Sequence, residues 1–112
     1  MRGNYDRQIS LVISELERAE RTGLRNDIPI KDINTGSYIY EIYAMCNRAG
    51  VKFAVVKRTL SGERIGIVNK TEVSSFGLTY DSKSYPNGVE IHLPDSVVTF
   101  INKFYKEIRS KM

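Results

Sequence analysis

Among the 112 residues there is no tryptophan, one histidine and one cysteine. A single thiol, Cys46, excludes an internal disulfide and any zinc site built from several cysteines. With His92 as the only histidine, no Cys/His set has metal-ligand spacing, and no metal or cofactor is expected. His92 falls on the outward side of an expected strand and has no companion in sequence. No apolar run approaches the ~18 residues of a membrane-spanning helix, so no membrane partner is expected. The opening MRGNYDRQIS lacks the apolar segment of a secretory signal. Together with the lone cysteine this predicts a cytoplasmic setting, where the sequon Asn69-Lys70-Thr71 carries no meaning. No glycine-rich phosphate loop is present, because Gly62 and Gly66 read as hairpin glycines. Without a positioned acid, base or nucleophile, the chain reads as a non-enzyme.

The length suits one domain with its own core. Over residues 5–22, Ile9, Val12, Ile13, Leu16 and Ala19 repeat at helical spacing, Gly23 supplies the stop, and mixed charges fill the outer face. The following Ile28-Pro29-Ile30 and Ile33 predict a short extended piece or a single turn docked on the core. Thr35-Gly36-Ser37 is a turn whose serine can cap a helix. Residues 37–49 then read as that helix: Ile39, Ile42, Tyr43 and Cys46 form its buried stripe and Gly50 ends it. Its opposite face holds Ser37, Tyr40, Glu41, Ala44, Asn47 and Arg48.

Residues 51–70, VKFAVVKRTLSGERIGIVNK, predict a β-hairpin with a loop over Thr59–Glu63. Alternation places Lys57 on the face of Val51, Phe53 and Val55 unless the strand twists or bulges. Strands are expected within 76–93, and Pro94-Asp95-Ser96 opens a last helix over 95–110. That helix carries Val97, Val98, Ile101, Phe104, Tyr105 and Ile108 as its stripe. The expectation is thus a single α+β domain, an antiparallel sheet of about four strands with three main helices.

The charge is unevenly spread. Arg48, Lys52, Lys57, Arg58, Arg64 and Lys70 face one acid, Glu63, so this fifth of the chain holds more than the whole net charge of +4. Clustered cations are what phosphate contacts require. Helix, turn, helix, glycine and basic hairpin in that order resemble a winged helix-turn-helix domain. The resemblance implies a recognition helix over 37–49 and a wing tip at Thr59–Glu63, bound to duplex DNA. It implies base or phosphate contacts from Asn47 and Arg48, and backbone contacts from Ser37 and Tyr40. Phosphates would fall to Lys52, Lys57, Arg58, Arg64 and Lys70. A second reading is a small protein-binding inhibitor or regulator of a larger machine, anchored by Tyr40, Arg48 and the tip residue Leu60. Abundant Ile, Asn, Lys, Ser and Tyr would suit a phage-encoded regulator of that kind. Homodimerisation through the last helix is compatible with both.

Overall fold

The structure, a computed structural model, describes residues 5–74, 77–84 and 87–112. The chain order is α1 (Asp6–Thr22), β1 (Asn26–Asn34), β2 (Tyr38–Asn47), β3 (Gly50–Thr59), β4 (Arg64–Ser74), β5 (Gly77–Ser84) and α2 (Asp95–Ser110). The strands form one five-stranded antiparallel meander in the order β1-β2-β3-β4-β5. This corrects the expected four strands and three helices: the described residues hold five strands and two long helices.

The missing helix is the one expected over 37–49, which is strand β2. Five of the six residues Tyr38–Tyr43 are tyrosine or isoleucine, side chains that pack well on a pleated surface and lose rotamer freedom in a helix. Tyr40, Ile42, Ala44 and Cys46 are buried, with Ile39, Glu41, Tyr43 and Met45 between them on the other face. That period of two replaces the supposed stripe of 3.6. The turns fit it as well. Asn34 Oδ1 accepts from the Gly36 amide at 2.8 Å, and Asn47 Oδ1 accepts from the Ala49 amide at 2.8 Å. Each is a side-chain-closed turn that reverses the chain.

Both helices pack on one face of the sheet. Ile9, Val12, Leu16 and Ala19 of α1 and Val97, Ile101, Phe104 and Ile108 of α2 are buried. They join Ile28, Ile30, Tyr40, Ile42, Ala44, Cys46, Phe53, Val55 and Val68 in one core, apart from Ala19, which is buried beside it. The α2 stripe is therefore used inside the domain. Phe53 meets Phe104 edge-on at 6.2 Å between centroids. Full burial of such a ring contributes about 1.5–3 kcal/mol.

Three irregularities shape the sheet. Ile30 is the extra residue of a bulge opposite β2, and with Pro29 it blunts β1 as an exposed edge. Ile65 is extra opposite β3, next to the tip. The third lies in β4 between Asn69 and Glu72. There Thr71, 1% exposed, stands in for a strand: its hydroxyl accepts from the Phe53 amide at 2.7 Å and donates to the Phe53 carbonyl at 3.0 Å.

The strand expected over Val89–Leu93 is also corrected. The alternation holds for Ile91 and Leu93, which are buried, while Val89 and His92 are exposed. The segment makes one backbone bond to β5, the Ser84 amide donating to the Val89 carbonyl at 2.8 Å, and otherwise bonds to side chains instead of continuing a backbone ladder. The Ser82 hydroxyl accepts from the Ile91 amide at 2.7 Å and donates to its carbonyl at 3.0 Å; Tyr80 accepts from the Leu93 amide at 3.0 Å. Gly66 makes room for this strap, because a Cβ there would lie 2.2 Å from Ile91 Cδ1. Phe76, placed at the start of an expected strand, lies outside the described residues.

Thr71→Val keeps the shape but strands a buried amide and a buried carbonyl. Urea denaturation of this variant should show a loss of about 1–3 kcal/mol, whereas Thr79→Val, at an exposed position, should change stability by less than about 0.5 kcal/mol.

Candidate functional site

Strand register assigns each proposed contact to a face. Ile39, Glu41, Tyr43 and Met45 of β2 lie opposite Arg58, Val56, Ala54 and Lys52 of β3 on the face away from the helices. Val56 continues to Ile67 of β4 and Lys83 of β5. Ile39, Tyr43, Met45, Val56 and Ile67 thus make an apolar centre that no helix covers among the described residues. None of them belongs to the cluster under the helices; Val56 is nonetheless 6% exposed, closed in by its neighbours on the sheet, and Ile39, Tyr43, Met45 and Ile67 are half-buried. Carboxylates and cations both border this centre, with Asp32 opposite Glu41 and Arg58 opposite Arg64. Asp27, Asp32, Glu41, Glu72 and Asp81 stand among Lys52, Arg58, Arg64 and Lys83.

The hairpin cations do not form one footprint. Lys57 pairs with Tyr40 and stays on the helix side, its ammonium 4.0 Å from the Tyr38 ring centroid and 5.9 Å from that of Tyr40. Arg58 points to the opposite face. Its Nε lies 2.8 Å from Glu41 Oε1, and its Nη1 donates to the Gly62 carbonyl at 2.8 Å. The Nε–H is not aimed along the short contact, so the attraction is chiefly electrostatic. Lys52 reaches Glu72 at 3.6 Å. Arg64 sits opposite Arg58 and is exposed. The Lys70 side chain lies outside what the structure describes.

The two ends of the sheet separate the remaining residues. Ser37, exposed, and Leu60, 53% exposed, sit at the end of the β3–β4 loop, together with Tyr38. Asn47 and Arg48 occupy the β2–β3 turn at the other end. Ten residues of β3 lie between, about 30 Å of extended chain. Tyr40, expected on an outer helix face, is 4% exposed in the core. Burial, and secondarily the Tyr38 phenol, raises its pKa above the ordinary 10.0, so it remains a neutral phenol at physiological pH.

The residues sequence reasoning missed are Ile39, Tyr43, Met45, Val56 and Ile67. A helical reading hid Ile39 and Tyr43 in a supposed core stripe. The signal that finds them is apolar character on both parities of 38–47, which a strand with one covered face does not require.

Cys46, the chain's single thiol, has a shifted titration. Its Sγ lies under α1, 3.9 Å from the Val12 carbonyl. Burial, then the charges of Glu15 and Asp27, pushes the thiol up to about 11. No group of three or more metal-ligating side chains converges among the described residues, and no helix there is long and apolar enough to cross a membrane. No protein-family model, curated protein or solved structure matches the chain.

The folded state holds the Cys46 proton more tightly than the unfolded chain does. Stability is therefore full below the ordinary thiol value of 9.0 and falls as pH rises from there through about 11. Over that window urea denaturation should show the native protein losing stability relative to Cys46→Ala, by on the order of 2 kcal/mol. At pH 8 a thiol reagent should label Cys46 only after denaturation.

Proposed function

We propose that this protein is a non-enzymatic binding module that docks on another protein through the uncovered face of its sheet. The observation that carries the reading is the apolar centre of Ile39, Tyr43, Met45, Val56 and Ile67, rimmed by charges of both signs. An apolar middle with a polar border, containing tyrosine and methionine, is the composition of protein interfaces. The partner that fits presents an apolar ridge flanked by both carboxylates and cations.

A polyanion fits this face less well. Carboxylates stand on it in at least the same number as cations, so a phosphate backbone laid across it would meet repulsion as well as attraction. The helix needed for the major groove is absent from 37–49. Breaking Arg58 from Glu41 to free it for phosphate would also leave a half-buried carboxylate unpaired.

A photo-cross-linking amino acid at position 43, tested in cells that express the chain, separates the readings. We expect a discrete protein adduct from position 43, none from position 17 on the outer face of α1, and loss of the adduct in Ile67→Lys. With the partner purified, Ile67→Lys should weaken binding about tenfold or more while Tm changes little. The proposal fails if duplex DNA binds in the micromolar range or tighter, with a steep salt dependence that Arg64→Ala reduces.

A further inference from the structure

A cleft of about 340 Å³ opens between the C-terminal half of α1, the β2–β3 turn and the end of α2. Ligand sites begin at about this size. Its lining has two kinds of surface. Leu16, Val51 and Ile108 supply apolar floor, while Arg48, Arg109 and Glu20 bring charge.

The two guanidiniums are positioned by separate devices. Arg48 extends from the β2–β3 turn and lies against Gly23, the left-handed residue that ends α1. A Cβ at Gly23 would come within 2.9 Å of Arg48 Nη2, so the glycine serves both the φ of 75° and the passage of the arginine. The carbonyl end of α1 attracts a cation there. Arg109 projects from the last turn of α2 and bonds to Tyr105, its Nη1 donating to the phenol oxygen at 3.3 Å with the guanidinium over the ring at 6.0 Å. Among the described residues no carboxylate lies within 4.0 Å of either guanidinium, which also holds for Arg7, Arg21 and Arg64; what sets Arg48 and Arg109 apart is that both line one cleft. Two arginines without ion-pair partners thus line the same cleft.

We infer that this cleft binds a monocarboxylate carried on an apolar body. A guanidinium presents a planar fork that matches a carboxylate, and the floor accepts an alkyl or aryl remainder. The carboxylate can belong to a free acid or to the C-terminus of a peptide; both share the chemistry that the cleft recognises. This site is distinct from the sheet face proposed above, on which Arg48 does not stand.

Amide NMR titrations of the full chain test the site with three probes: hexanoate, a pentapeptide ending in leucine, and inorganic phosphate. Saturable shifts at Arg48, Val51 and Arg109 with hexanoate, at a Kd of about 1 mM or tighter, are expected for a free-acid ligand. The same shifts with the peptide but not with its C-terminal amide assign the peptide source. Arg48→Gln and Arg109→Gln should each weaken binding about tenfold with folded spectra preserved. Glu20→Gln should strengthen it, an effect that a merely structural role would not produce. Equal binding of hexanoate and hexanamide, shifts with phosphate alone, or no saturable shift from either carboxylate overturns the inference.

Discussion

Burial of Ile42, Ala44 and Cys46 against Val12 and Leu16 is the contact on which the rest of this molecule depends. It fixes the parity of β2, and antiparallel register then passes that parity to β1 and β3 and onward to β4 and β5. A slip of one residue would put Tyr43 and Met45 under α1 and Ile42 in water, so register is strongly specified. The same choice leaves one face without helices. The uncovered apolar centre is thus a consequence of having two helices on one side of a five-stranded sheet, with hydrophobic residues on both of its faces.

Local charge and spatial charge differ sharply here. A hairpin sends alternate residues to opposite faces, so cations adjacent in sequence are distributed around the sheet. Lys57 rests on Tyr38, Arg58 is held by Glu41, and Lys52 reaches Glu72. The acids that engage the last two come from β2 and from the far part of β4, outside the basic stretch. Arg48 belongs to a different end and to a different set of neighbours. Charge excess along a segment predicts a footprint only when the intervening structure keeps those charges on one surface.

The two helices were legible because each repeats apolar residues at helical spacing over four turns and is bounded by Gly23 or Pro94. The β3–β4 hairpin was legible from alternation and from its five-residue loop. Tyr38–Asn47 was not, because apolar residues on both parities also satisfy a helical stripe. The stronger signal lay in spacing: Asn34-Thr35-Gly36-Ser37, Asn47-Arg48-Ala49-Gly50 and Thr59–Glu63 are turn sequences at intervals of about twelve residues, the rhythm of a meander. Nothing local announces the strap at Ile91 and Leu93, since its partners are the side chains of Ser82 and Tyr80. The same holds for the cleft, which Arg48 and Arg109 come to line only through the packing of α2 beside α1.

The most direct test of this account is solvent accessibility along β2 and its neighbours, read from methyl NMR with a soluble paramagnetic probe. The methyls of Met45 and Ile67 should broaden strongly, while those of Ile42, Val55 and Ile101 should be spared. That outcome would establish one covered face and one open face with a period of two along β2. Equal protection of Met45 and Ile42, or accessibility repeating every three to four residues from 38 to 47, would contradict it.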